Sequence, residues 1–232
     1  MKQIKVNDLT LEVEKKRIKN VYLRIVPPDG TLKISAPLRM SDKEIKLFVL
    51  SKLEWINSHR ENVMKKSETI NINYDDGDQI PLWGNFYPLI VHHNRANKSV
   101  QFNGTSIELC MKEGAPDSLA HREASMNEFY RKELKEKVPS LIQKWERIIG
   151  VQSSAFTLRD MKSRWGSCNV KTHKICFNLQ LAKKPPICLE YVVVHELVHL
   201  LEASHNHVFK GYMDLFLPDW RTIRKKLNET LY

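Results

Sequence analysis

His195-Glu196-Leu197-Val198-His199 is an HExxH pentapeptide, and its residue types and spacing are those of a metal site. Four helical residues advance about 400°, so histidines at i and i+4 share a face, about 6 Å apart along the axis. Two imidazoles placed this way can bind one Zn²⁺ at about 2.0–2.1 Å, and the intervening glutamate can take a proton from metal-bound water. His205 and His207 follow, so four of the nine histidines fall within thirteen residues. Catalytic zinc commonly takes three protein ligands and keeps one position open. His205 is the preferred third ligand. On a straight helix it would point about 120° away from the other two, so the helix must bend or end near residues 202–204. Metzincins make that return with the glycine of HExxHxxGxxH, a position held here by Glu202. His207 is the runner-up ligand, or a hydrogen-bond donor to a reacting substrate. Glu202, Asp214 and Asp219 are the carboxylates considered for orienting a ligand imidazole.

These groups need a rigid, buried helix behind them. The run Ile187–Leu201 supplies one: Tyr191-Val192-Val193-Val194 precedes the motif, and Leu197, Val198, Leu200 and Leu201 pass through it. Buried imidazoles and a buried carboxylate are costly without partners, and a metal removes that cost. Upstream, Phe156–Met161 and Lys174–Leu181 read as strands around Arg164-Trp-Gly-Ser-Cys168 and a polar turn at 169–173. The segments 161–166 and 174–181 are expected to form a hairpin beside the cleft, whose edge can receive an extended substrate. Arg164 offers forked donors for a carboxylate or phosphate. The plainer reading of Trp-Gly is packing and a tight turn. Cys168 has no evident base beside it and is not read as a nucleophile.

The remaining elements suggest an α+β protein, with a β-rich half (1–111) packed on a half (117–232) that carries the HExxH helix. The first half alternates at Ile4–Val13, Val21–Val26 and Thr31–Ala36, with a turn at Pro27–Gly30. Ser41 and Glu44 form a capping box for a helix that presents Ile45, Phe48, Val49, Leu53 and Ile56. Further strands are expected at 79–83, 86–92, 99–102 and 106–111, with Asn103-Gly104 as a hairpin signal. Asp75-Asp76-Gly77-Asp78 lacks the terminal Glu of a calcium loop and reads as a turn. The segment 112–117 is the expected boundary. Helical spacing follows from Leu119 to Ile148, and Pro139 is expected to open a second helical piece.

Composition bounds the function. Basic residues number 37 against 27 acidic, leaving +10, which suits nucleic acid, an anionic substrate or plain solubility. Four cysteines without a CxxC pair exclude a disulfide scaffold and a cysteine zinc ribbon. The opening MKQIKVNDLTLEVEKKR lacks a signal-peptide apolar block, and no run of eighteen apolar residues occurs, so a cytoplasmic protein without a membrane span is expected.

Taken together, Arg164-Trp-Gly-Ser-Cys168, Phe177-Asn178, Pro185-Pro186, Tyr191–His199, and His205 followed by Phe209 resemble the YgjP-like metal-dependent hydrolases, relatives of the SprT-like and WLM zincins. Ala36-Pro37-Leu38, Lys52–Ile56 and Leu82-Trp-Gly84 extend the resemblance over nearly the whole chain. The sequence departs after the third histidine: many relatives follow it with Ser and place Trp after the Phe, where Asn206 and Lys210 stand here. The resemblance implies a zincin-like C-terminal half, zinc held by His195, His199 and His205, and Glu196 as catalytic base. Arg164 and His207 are the expected substrate-binding residues. The substrate expected is a peptide. The alternative, also implied by the resemblance, is nucleoside-triphosphate pyrophosphatase activity on UTP; a basic chain suits a polyanion, and zinc-bound water can attack carbonyl carbon or phosphorus. A nucleic-acid module with a structural zinc is a third reading, but a closed four-ligand site would leave Glu196 without a purpose.

Overall fold

The computed structural model describes residues 2–7, 9–26, 30–59 and 72–229. The chain forms two compact units that divide between Asn71 and Ile72. The mixed α+β class is as expected. The boundary expected at 112–117 is displaced, because the sheet over residues 79–112 buries its apolar face in the same core as the C-terminal helices.

In the first unit, β1 (Lys2–Val6), β2 (Leu9–Lys16), β3 (Tyr22–Val26) and β4 (Thr31–Pro37) lie in the order β1-β2-β4-β3. The alternation read as one strand from Ile4 to Val13 is a hairpin, broken where Asn7 adopts a left-handed φ of 52°. Asparagine tolerates that region better than most residues. Strands β2 and β4 pair in parallel at the sheet centre and bury Leu11, Val13, Leu32 and Ile34. Helix α1 (Asp42–Leu50) and the helical residues 53–59 add Ile45, Val49 and Ile56 to that core. The capping box forms: Ser41 N–H donates to Glu44 Oε2 at 2.7 Å and Glu44 N–H to Ser41 Oγ at 3.3 Å. Most of the turn expected at Pro27–Gly30 lies outside the described residues.

In the second unit, β5 (Gln79–Leu82), β6 (Asn85–Arg95), β7 (Ser99–Phe102) and β8 (Ile107–Lys112) form a sheet in the order β5-β6-β8-β7. Helix α2 (Leu119–Ile149) shares its core through Met126, Tyr130, Leu134 and Val138. It runs unbroken through Pro139, contrary to the expected restart. Pro139 is exposed, so water can serve the carbonyl that loses its partner.

A third sheet carries β9 (Ala155–Arg159), β10 (Gly166–Asn169) and β11 (Lys174–Asn178) in the order β10-β11-β9, leaving β10 at an edge. The hairpin is β10–β11, shorter than expected, because residues 161–165 form a loop instead of a strand. A 3₁₀ turn (Leu179–Lys183) leads to α3 (Pro186–Val198), α4 (His207–Phe216) and α5 (Trp220–Asn228). Among the described residues, no helix is long and apolar enough to cross a membrane.

Candidate functional site

Helix α3 is clamped at its start and buried along its length. Trp83 N–H donates to the Ala182 carbonyl at 2.8 Å and Gly84 N–H to the Lys183 carbonyl at 3.3 Å. This seats the 82–84 turn against Pro185. Gly84 has φ +85°, and a Cβ there would lie 2.7 Å from Pro185 Cγ, so only glycine fits. Pro186 occupies the first turn, where its missing N–H costs nothing. From Cys188 to Val198 no residue is exposed. The helix ends at Val198, whose carbonyl takes Leu201 N–H at 2.9 Å and Glu202 N–H at 3.0 Å. The chain leaves the helix slightly before the 202–204 exit anticipated from angular spacing, and His205 returns.

The return brings three rings together. Ligand atoms of His195, His199 and His205 all lie within 4.8 Å of one another, with Nε2 of His195 and His205 2.9 Å apart. His199 Nδ1–H donates to the Glu202 carbonyl at 3.2 Å, which frees Nε2 for the cluster. The Phe209 ring stands 4.9, 4.7 and 4.8 Å from the ring centres of His195, His199 and His205, a shared apolar support. Burial first, then the neighbouring His199 and His205, holds His195 down at about 3, and burial also lowers His199. Near neutral pH, His195 is therefore an unprotonated donor. In the absence of a metal one of these two nitrogens donates its N–H to the other, and a cation held by both would take the place of that shared proton. His195 Nδ1 is also buried without a partner. A three-imidazole donor set with no competing carboxylate fits a divalent transition metal.

Other expected residues fall differently. His207 is exposed in the first turn of α4 and does not line the cavity beside the trio. The Glu202 carboxylate accepts from Ser204 N–H at 3.0 Å and Oγ–H at 2.8 Å, so Glu202 orients His199 only through its main chain. Asp214 holds Trp220 Nε1–H at 2.7 Å and pairs with Arg221. Asp219 precedes α5 without a side-chain cap.

Glu196 is 4% exposed, and burial pushes its carboxyl up to about 8, opposed by the Arg164 charge. It lies against β10, where a Cβ on Gly166 would meet Oε1 at 2.5 Å, Cγ at 2.8 Å and Cδ at 2.9 Å. Burial and Glu196 push the Cys168 thiol up to about 11, in keeping with its being no nucleophile. The loop 161–165 is tied by buried Asn178, whose Nδ2 donates to the carbonyls of Met161 and Arg164, both at 2.7 Å. A cavity of about 740 Å³ opens over the trio and Glu196, walled by Arg164, Trp165, Tyr191, Lys210, Trp220 and Arg224 among others. Sequence reasoning missed Gly166, Lys210, Arg224 and the roles of Asn178 and Phe209. A glycine inside a strand pattern marks close approach of another group, and that signal could have found Gly166.

The profile of the family described as "YgjP-like, metallopeptidase domain" matches residues 19–230. Among solved structures, the chain is similar to the metallopeptidase zymogen of Pyrococcus abyssi abylysin. The identity is 20% over 39% of this chain and 90% of that one, with a TM-score of 0.37. It is also similar to the metallopeptidase zymogen of Methanocaldococcus jannaschii jannalysin, at 20% identity over 39% of this chain and 93% of that one, with a TM-score of 0.35. Comparison with curated proteins found no match.

Proposed function

The chain belongs to the YgjP-like metallopeptidase-domain family, and from that premise we propose that it is a zinc-dependent peptidase in which His195, His199 and His205 hold the ion and Glu196 is the general base. One observation carries this reading: three imidazoles converge at the end of a buried helix, beside the buried carboxyl group of Glu196. Zinc, when bound, supplies Lewis acidity that brings a coordinated water toward a pKa of about 7.

The residues of the chain then divide the work. Glu196 takes the proton of the attacking water at its carboxylate and passes it to the leaving amine. His199, fixed through Nδ1, and His195, fixed by the helix, keep their donor atoms in place. The free edge of β10 runs past Glu196 and offers backbone groups to an extended peptide. Arg164, at the entrance to β10, steadies the ionised Glu196 or a developing oxyanion.

A second reading, hydrolysis of a nucleoside triphosphate such as UTP, draws support from the cations Arg164, Lys210 and Arg224 around the cavity. The test is to incubate zinc-loaded protein with an unstructured peptide and with UTP, each beside the Glu196→Gln variant. Peptide cleavage absent from the variant supports the proposal. UTP turnover without peptide cleavage replaces it with the second reading.

A further inference from the structure

The cavity has an unbalanced wall. Arg164, Lys210 and Arg224 line it, and Glu196 is its one acidic lining residue. Among the described residues, none of the three cations makes an ion pair. Other arginines differ: Arg122 is held between Asp75 and Asp117, and Arg221, one helical turn before Arg224, is paired with Asp214. Arg224 lines the same cavity as Tyr191 and His195. Lys210 directly follows Phe209, the residue against all three rings. Like charges around one cavity repel one another, and an anionic ligand relieves that repulsion.

We propose that Lys210 and Arg224 make the helical wall of the cavity a selector for peptides carrying acidic side chains near the scissile bond. The proposal rests on the peptidase reading above and adds the substrate class. The cations stand on three different elements: the loop before β10, α4 and α5. A triphosphate concentrates its charge, whereas cations on separate elements can each meet a separate carboxylate of a peptide.

Two matched labelled peptides, one with glutamates and one with lysines flanking the same central residues, test this by fluorescence anisotropy. The zinc-loaded Glu196→Gln variant serves as receptor, so binding is read without hydrolysis. Two partly screened charge pairs predict about tenfold tighter binding of the acidic peptide, shrinking as salt rises. Lys210→Glu/Arg224→Glu should reverse the preference, and Lys210→Ser/Arg224→Gln should abolish it should the reversal variant misfold. Equal binding of both peptides, no binding of either, or a preference that survives the double variants overturns the proposal. Parallel assays on the active protein separate the two claims. Selective binding without cleavage of any peptide sinks the peptidase reading alone, and cleavage without charge preference sinks the selector alone.

Discussion

The backbone at Gly166 and the carboxylate of Glu196 are in such close register that a single added methyl would sit 2.5 Å from Oε1. Strand β10 thereby sets the position of the Glu196 carboxyl group as well as the edge of the cleft. Gly166→Ala should keep its metal, because the crowded atoms belong to Glu196 and not to the three rings. Overpacking should cost about 1–3 kcal/mol of stability. Displacement of the base should lower turnover by about 10²-fold. Thermal melts, metal analysis and kinetics on one preparation check this, and wild-type turnover would refute it.

The ligand assignment separates His205 from His207. His195→Ala, His199→Ala and His205→Ala should each lose bound zinc on dialysis, whereas His207→Ala should retain it. Glu196→Gln should retain zinc and lose about 10²–10⁴ in rate. Metal content by mass spectrometry decides. Zinc lost from His207→Ala and kept by His205→Ala would reverse the third ligand.

Acidity provides a metal-free test. Glu196 has an ordinary value of 4.5 and a folded value of about 8, because burial disfavours its charge. The folded chain binds the extra proton, so this contribution is full below 4.5 and is lost as pH rises through 8. His195 goes from 6.5 to about 3 on folding, chiefly through burial, so its contribution is full above 6.5 and is lost as pH falls. Of these two groups, only Glu196 slopes between pH 6.5 and 8. The melting temperature of metal-free protein should fall across that window, and Glu196→Gln should flatten the profile.

Asn178 is a positioning residue. Besides the two carbonyls it serves, its Oδ1 accepts from Gln180 N–H at 3.1 Å and Met161 N–H at 3.3 Å. Asn178→Leu keeps the approximate volume and removes all four bonds, leaving buried groups unsatisfied at about 1–3 kcal/mol each where water cannot reach them. The loop carrying Arg164 should loosen, seen as a raised KM with a smaller change in kcat and faster proteolysis near residue 163. Unchanged KM and proteolysis would remove this role.

Local chemistry was legible in the sequence, and non-local chemistry was not. The HExxH spacing, the need for a helix end before His205 and the Ser41–Glu44 cap all follow from helical geometry over a few residues, and the structure contains each feature. The domain boundary was misplaced because the strand pattern over 79–112 reveals an apolar face without revealing what covers it. Pro139 misled because exposure decides whether a proline interrupts a helix, and exposure depends on the partner. Gly166, Lys210, Arg224 and Phe209 acquire meaning only from elements distant in sequence, as does the cavity they share with the histidines.

Helix α3 has no fully exposed residue from Cys188 to Val198, only half-buried Glu190 and His195, whereas residues 203–208 are all exposed. A buried helix has no cheap local opening, so its amides should exchange hydrogen only when the whole unit comes apart. His195 and His199 inherit that stillness, whereas His205 stands on an exposed turn held by the Glu202–Ser204 and Asn206–Val208 hydrogen bonds.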